Sequence, residues 1–347
     1  MLPGDGICRG CSACWLDLLN TTQLLGSSLA AASAFALGSM RYVYAHRGKL
    51  RYEGLREYVR KGWPIFAPFN CLLYLFTKPK GRGVFLGLEN YPELAPLQEG
   101  WQVIREEAMQ LMRQGYFERI SDRNSASYFD VGFRTFYKYG WSKFYLRWYG
   151  YTHASALALC PKTVAILSRI PSVNGAMFSL LPPGSKLTRH LDPVAISLRY
   201  HLGLSTPNRD GCSIEVDGQT YSWRDGAAAL FDITYLHHAR NDTDHPRLIL
   251  MCDIDRPMSW PGAVINWFYR GLARISIVPN LEGDRRGLAN RLFAGVAPLF
   301  ARTKVLRQSN RRLYNWVKWG FNLTLLGAVA AVLYGMYRLL LWCLAGG

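Results

Sequence analysis

The chain is 347 residues long, half of them hydrophobic and 14% aromatic, with a formal charge of +17. That is ample sequence for a buried core in one large domain or two small ones, and eight scattered cysteines exclude the closely spaced disulfide framework of a small secreted protein. A mean hydropathy near zero suits a soluble domain joined to membrane-embedded pieces, and the positive charge points to an anionic partner, either nucleic acid or lipid headgroups.

Residues 1–22 form an N-terminal tail. Cys8, Cys11 and Cys14 have metal-like spacing there, but three thiols without a nearby histidine do not complete a zinc site. Leu24–Met40, rich in Ala, Leu, Gly and Ser, predicts a membrane anchor over residues 23–45. Arg41, His46, Arg47, Lys49 and Arg51 follow it and Asp5 and Asp17 precede it, an asymmetry that places its C-terminal side in the cytoplasm. A cleaved secretory signal would carry its basic residues on the other side. Residues 46–96 continue as a membrane-associated linker. Within it Trp63–Phe76 is too short to span and is bracketed by Arg60, Lys61, Lys78, Lys80 and Arg82. It predicts an interfacial segment or, alternatively, a buried core helix.

Residues 97–257 read as the catalytic domain. Leu97–Gly115 is helical, with Trp101, Ile104, Ala108 and Leu111 at three- and four-residue spacing and Gly115 as a stop. Tyr128–Tyr151 is strongly aromatic and interleaved with Arg134, Lys138, Lys143 and Arg147, which fits core strands or a wall against an acyl chain. From Ala176 the pattern turns to β. Cys212–Val216 and Gln219–Trp223 alternate apolar and polar residues around Asp217-Gly218, a hairpin signal because both turn residues tolerate positive φ. Ala227–Phe231 and Arg247–Asp253 are further strands. Several short strands suit a mainly β, jelly-roll domain of the cupin type with flanking helices.

Residues 258–318 form a basic interfacial region, with Pro261–Ile277 as an interfacial helix carrying Arg270 and Arg274. Residues 319–342 predict a transmembrane helix preceded by Arg285, Arg286, Arg291, Arg302, Lys304, Arg307, Arg311, Arg312 and Lys318. Both membrane flanks thus place Arg41–Lys318 on the cytoplasmic side.

The chemistry centres on His190-Leu-Asp192. On an extended strand, residues two apart share a face, so both side chains can meet one ion. A third ligand 45 residues after Asp192, His237, would complete the two-histidine-one-carboxylate triad that holds Fe(II) and leaves positions open for a cosubstrate and oxygen. His237 and His238 are adjacent, so the residues alone leave open which of them is the ligand. Arg199, His201 and Arg247 supply what a dicarboxylate cosubstrate needs, since a guanidinium fork is permanently charged and bidentate. Taken singly, the arginines also fit ion-paired strand residues. Asp232, Asn241 and Asp253 are assigned structural or supporting roles, and the Asn241 sequon has no use in the cytoplasm.

Ser179-Leu-Leu-Pro-Pro-Gly184, His190-Leu-Asp192, Leu198–Leu204, Trp223-Arg-Asp-Gly226, Phe231-Asp232, His237-His-Ala-Arg-Asn241 and Arg247 together resemble the aspartyl/asparaginyl β-hydroxylase family. The likeness runs from about Tyr44 to Pro257 and leans towards its branch of bacterial lipid A acyl-chain 2-hydroxylases. The resemblance implies a double-stranded β-helix dioxygenase using Fe(II), O₂ and 2-oxoglutarate. It implies His190, Asp192 and His237 as iron ligands, with His237 favoured by lying ten residues before Arg247. It further implies Arg247 and Ser179 at the distal carboxylate of 2-oxoglutarate, and Arg199 and His201 at the end that chelates iron. Vertebrate members lack the carboxylate ligand, so Asp192 favours the lipid branch. The implied function is hydroxylation at C2 of a secondary acyl chain of lipid A at the cytoplasmic face of a bacterial inner membrane. The alternatives are β-hydroxylation of Asp or Asn in a membrane-associated protein, and a non-catalytic lipid-binding scaffold. Nucleic acid is not expected as a partner, because the charge gathers beside the membrane segments and no recognition motif accompanies it.

Overall fold

The computed structural model describes residues 10–122 and 140–320, together with 125, 127, 130, 323, 324 and 327. Its strands are β1 (Phe85–Leu86), β2 (Ser142–Trp148), β3 (Tyr151–Thr152), β4 (Val173–Leu181), β5 (Lys186–His190), β6 (Ser197–Ser205), β7 (Cys212–Val216), β8 (Gln219–Ser222), β9 (Ala228–Phe231), β10 (His237–Asn241) and β11 (Arg247–Asp255). They form a seven-stranded sheet in the order β1-β9-β6-β11-β4-β2-β3 and a four-stranded sheet in the order β5-β10-β7-β8. From β4 onward the chain crosses back and forth between the sheets, and every pairing is antiparallel. Eight strands wound in this way make the expected double-stranded β-helix, or jelly roll.

The period-2 alternation of strands sorts the side chains. On β4, β6 and β11, Phe178, Tyr200, Leu202, Leu250 and Cys252 face a core shared with Leu97, Ile104, Ala108, Leu111 and Phe117 from the helical side. The opposite faces of the same strands, with Met177, Leu181, Ile249 and Met251, meet Ile214, Val216 and Ala239 of the smaller sheet. By the same parity Ser179, Arg199, His201 and Arg247 all project between the sheets. One slip of register would send the whole set into the helix-facing core.

The helices are α1 (Gly10–Ala45), α2 (Leu55–Lys61), α3 (Ala67–Phe76), α4 (Ala95–Glu99), α5 (Trp101–Arg113), α6 (Tyr116–Ser121), α7 (Ala154–Leu159), α8 (Pro161–Ser168), α9 (Trp260–Ala273) and α10 (Leu288–Ser309). The helix expected over Leu97–Gly115 is present but broken at Gly100 into α4 and α5, and it ends with Gly115 at φ 70°. The hairpin is as expected: Asp217 and Gly218 turn between β7 and β8 with φ of 49° and 82°. Of the aromatic stretch at 128–151, residues 128, 129 and 131–139 lie outside the described residues. The described part is core strand, with Phe144, Tyr145 and Leu146 buried.

Among the described residues no helix is long and apolar enough to cross a membrane. α1 has the length, but Gly26, Ser27, Ser28, Ser33, Gly38 and Ser39 dilute its apolar run, so the spanning anchor expected at 23–45 is not supported. Its C-terminal end is instead docked: Ser39 is buried, and Val43 and Tyr44 pack against Tyr52, Tyr58, Leu191 and Leu236. The helix expected at 319–342 lies outside the described residues apart from 319, 320, 323, 324 and 327.

The segment Trp63–Phe76 is part core helix, as the second of its expectations had it. Leu73 is fully buried in a small cluster with Ala195, Ile196 and Met258, while Trp63, Ile65 and Leu75 stand exposed. α9 behaves alike: Gly262, Asn266 and Ala273 face inward, whereas Trp260, Trp267 and Phe268 are 80%, 68% and 62% exposed. Residues up to Gly287 form one compact unit, and a second begins at Leu288 and contains α10 and a helical stretch at 311–320.

Candidate metal and cosubstrate site

Antiparallel pairing of β5 with β10 places His190 directly opposite His237, with ring centroids 4.3 Å apart. A bulge in that pairing, between His237 and Ala239, re-aims the strand just beside the site. Asp192 lies two residues past His190, where its backbone N–H donates to the Ile233 carbonyl at 3.0 Å. One ligand atom from each of His190, Asp192 and His237 falls within 4.8 Å of the others, close enough to share one ion.

Hydrogen bonding decides which imidazole nitrogens face that ion. A carbonyl oxygen can only accept, so the contacts of His190 Nδ1 with the Thr188 carbonyl (2.8 Å) and of His237 Nδ1 with the Tyr235 carbonyl (2.9 Å) assign the proton to Nδ1 in both rings. In that tautomer Nε2 is the lone-pair nitrogen of each ring, the one a metal would take, and His190 Nε2 lies 3.7 Å from Asp192 Oδ1. Burial, then the neighbouring His190, push His237 down to about 3, so the ring is neutral at physiological pH. His238 points elsewhere, with its Nδ1 4.0 Å from Glu215.

Asp192 is held by Arg199, whose Nη2 donates to it at 2.9 Å while its Nε donates to Asp253 at 2.8 Å. Burial works to raise the Asp192 carboxyl, but Arg199 and both histidines outweigh it and keep the group below its usual range. Arg199 is therefore a strand arginine bridging two carboxylates, and it orients the acidic ligand.

Arg247 presents the opposite case. It is buried, donates from Nη2 to Ser179 Oγ at 3.0 Å, and leaves Nε without a partner. No carboxylate pairs with it among the described residues, and burial pushes it down to about 10. Trp223 lies beneath its guanidinium at 4.4 Å and also reaches His201, donating from Nε1 to Nδ1 at 3.3 Å. His201, held well below its usual range by burial and then by Arg247 and Arg199, is neutral; with Nδ1 accepting, its proton sits on Nε2. That Nε2 is buried and unpartnered. A buried cation without an anion among the described residues, beside an orphaned N–H donor, has the charge and donor that a carboxylate would complement.

Residues 98–257 match the sequence profile of aspartyl/asparaginyl β-hydroxylases. This domain belongs to the aspartyl/asparaginyl β-hydroxylase family. The ornithine lipid ester-linked acyl 2-hydroxylase of Rhizobium tropici is 38% identical over 134 residues, 38% of this chain and 48% of that protein. Human aspartate β-hydroxylase domain-containing protein 2 is 36% identical over 126 residues, 34% of each chain. Human aspartyl/asparaginyl β-hydroxylase is 30% identical over 179 residues, 49% of this chain and 22% of that one. The chain thus spans less than half the length of these relatives. Among solved structures, a Pseudomonas putida prolyl-4-hydroxylase aligns at 16% identity over 46% of this chain and 88% of its own, with a TM-score of 0.31.

Within the β-hydroxylase-family domain, the seven residues singled out from sequence fall into two contact groups. His190, Asp192 and His237 form the cluster, Arg199 joins it to Asp253, and Trp223 links His201 with the Arg247–Ser179 pair. Trp223 was legible only as a strand aromatic and Asp253 only as a supporting residue. The signal for Asp253 is parity, since it lies an even number of positions from Arg247 on β11 and so shares its inner face. The carbonyls of Ile233 and Tyr235 leave no trace in side-chain chemistry. Asn241, as expected, is structural: its amide donates to the carbonyls of Leu181, Pro182 and His245.

Proposed function

We propose that this chain is an Fe(II)/2-oxoglutarate-dependent hydroxylase acting at C2 of an acyl chain of a membrane lipid. The observation that carries the reading is the pairing of a His-Asp-His cluster with a buried, uncompensated Arg247 between the same two sheets. His190, Asp192 and His237 would hold the iron, an imidazole and carboxylate donor set that suits Fe(II). Arg247 and Ser179 would bind the distal carboxylate of 2-oxoglutarate, and His201 would donate from Nε2 to its other end. Bound iron with 2-oxoglutarate and O₂ supplies the oxidising equivalent for a C–H bond, with decarboxylation to succinate. The protein's part is to keep both imidazoles in the metal-binding tautomer, to hold Asp192 ionised through Arg199, and to offer charge for a dicarboxylate in a dry space.

The lipid substrate is supported by the R. tropici relative, named for 2-hydroxylation of an ester-linked acyl chain, and by the exposed Trp260, Trp267, Phe268, Ile65 and Leu75. Such apolar faces flanked by Arg60, Lys61, Lys78 and Lys80 suit the interface of an anionic membrane. We take a secondary acyl chain of lipid A, met at the cytoplasmic face of a bacterial inner membrane, as the substrate. The human relatives favour a second reading, β-hydroxylation of Asp or Asn in a protein.

Mass spectrometry of lipids from cells with and without the protein tests this. A +16 Da lipid A that disappears with His190→Ala is the expected result. Unchanged lipid A in expressing cells sinks the assignment, and a +16 Da peptide transfers it to the protein substrate.

A further inference from the structure

A cavity of about 640 Å³ opens between α1, α3 and the loop that leads into β10, within the range of small-ligand sites. None of the residues lining it belongs to the metal cluster or to the Arg247 group. Its two ends differ in chemistry. Towards solvent the walls are Phe35 from α1 and Cys71 and Leu75 from α3, with Phe35 and Leu75 47% and 68% exposed. At the floor stand the buried guanidiniums of Arg47 and Arg256 against one carboxylate, Asp232, and the exposed Arg82 adds a third guanidinium to the lining.

The floor carries surplus charge. Asp232 accepts from Arg47 Nη2 at 2.7 Å and from Arg256 Nη1 at 2.8 Å, which leaves the three arginines with one counter-charge between them. Arg47 is clamped between the rings of Tyr74 (3.6 Å) and Tyr235 (4.2 Å), so it cannot swing away to water. Arg82 donates from Nε to the Thr77 carbonyl at 2.9 Å and is an exposed residue of the lining.

We propose that this cavity is an accessory binding site for an anionic amphiphile, taking the charged head on Arg82, Arg47 and Arg256 and the first methylenes of the tail between α1 and α3. A neutral head would leave the surplus positive charge without a counter-ion, and a free inorganic anion would leave Phe35, Cys71 and Leu75 uncovered. The inference extends the lipid reading by adding a second lipid contact, distinct from the substrate carbon at the metal. Its floor is also the back of the metal site. The loop that contributes Asp232 and Tyr235 to the cavity also supplies the Ile233 carbonyl to Asp192 and the Tyr235 carbonyl to His237. An occupant that orders this loop therefore acts on two of the three metal ligands.

Isothermal titration of the full chain, free of metal and 2-oxoglutarate, with decyl phosphate below its micelle concentration tests the site. Decyl maltoside and inorganic phosphate serve as the other arms. Because no turnover is involved, failure here is separable from failure of the hydroxylase reading. The expected result is saturable binding of decyl phosphate, at least tenfold tighter than either control. Arg82→Ala should weaken it about tenfold, the scale of one charged hydrogen bond. Gly38 lines the cavity, and a Cβ there meets nothing within 4 Å, so Gly38→Phe fills the space without forcing the backbone and should abolish binding. An unchanged thermal midpoint shows that the variant is folded; if it is not, Arg82→Ala decides alone. Equal binding of decyl maltoside, equal binding of inorganic phosphate, or wild-type affinity in Arg82→Ala or in folded Gly38→Phe overturns the proposal.

Discussion

Trp223 donates its indole N–H to Nδ1 of His201, and that one bond settles which nitrogen of a buried neutral imidazole carries the proton. The same indole lies under the Arg247 guanidinium. A residue with no titratable group thus fixes the tautomer of one basic residue and covers one face of another. Trp223→Phe keeps most of the shape and part of the cation–π contact but frees His201 to adopt either tautomer. We expect 2-oxoglutarate affinity to fall about tenfold with the metal affinity unchanged, the scale of one hydrogen bond. Titration of the cosubstrate into the metal-loaded protein measures it, and unchanged affinity would remove Trp223 from the site.

Asp253 touches the cluster only through Arg199, which it holds by the guanidinium Nε. Asp253→Asn should let Arg199 drift from Asp192 and weaken metal binding by about 10- to 100-fold, as loss of a supporting hydrogen bond commonly does. A metal-binding isotherm reads this directly. Asp253→Glu, which restores a carboxylate, should recover part of the loss, whereas a purely structural role would show no such rescue.

His237 and His238 give a sharp contrast. His237→Gln should abolish metal binding at the cluster. His238→Gln, at a half-exposed ring facing Glu215, should leave it within about twofold. Loss of metal in both variants would mean that the strand, and not the ligand, had been damaged.

Acid stability should report on Asp232. Burial acts to raise its carboxyl, but Arg256 and then Arg47 outweigh that and hold it far below the usual carboxylate range. A depressed folded-state value contributes stability that is complete above the unfolded value of about 4 and is lost as pH falls towards the folded one. Asp232→Asn should cost about 3–5 kcal/mol at pH 7, because it leaves two buried guanidiniums without their anion. Urea unfolding should then show the gap from wild type narrowing below about pH 4. A gap independent of pH would assign the loss to packing.

Membrane contact through α9 predicts that Trp260→Ser and Trp267→Ser each weaken binding to phosphatidylglycerol vesicles by roughly tenfold, the scale of removing one large apolar side chain from a lipid interface. Co-sedimentation measures it. Both residues are exposed, so the fold should be untouched, and retained binding in the double variant would place the contact elsewhere.

Much of this architecture was legible because strands write themselves at period two. The hairpin at Asp217-Gly218 and the inward set Ser179, Arg199, His201 and Arg247 follow from alternation and turn chemistry. His190-Leu-Asp192 does not follow from the same rule, because β5 ends at His190 and Asp192 lies beyond the strand. What stayed hidden depends on pairing between distant segments. Nothing local says that Arg199 will meet Asp253 rather than a cosubstrate, or that His237 will stand opposite His190. The membrane expectation at 23–45 rested on an Ala, Leu, Gly and Ser-rich run and its flanking charges, and nothing local to it shows that its far end packs on the domain. Gly100 breaking the helix at 97–115 was equally open to either outcome, since a lone glycine costs a helix only about 1 kcal/mol.

The stretch just after α1 is tied into the sheets from two sides. Asp217, at the tip of the β7–β8 turn, accepts the backbone N–H groups of Lys49 and Leu50 at 2.6 and 2.8 Å, and Arg47 reaches Asp232. The boundary of what folds therefore falls well before the first residue that the family profile matches. A protein trimmed to begin at residue 98 would keep every metal ligand and yet bare two carboxylates, open the Leu73 cluster and lose the Leu50 and Tyr52 cover over Leu191, beside His190. Biochemistry on this domain should start from a chain that includes the end of α1.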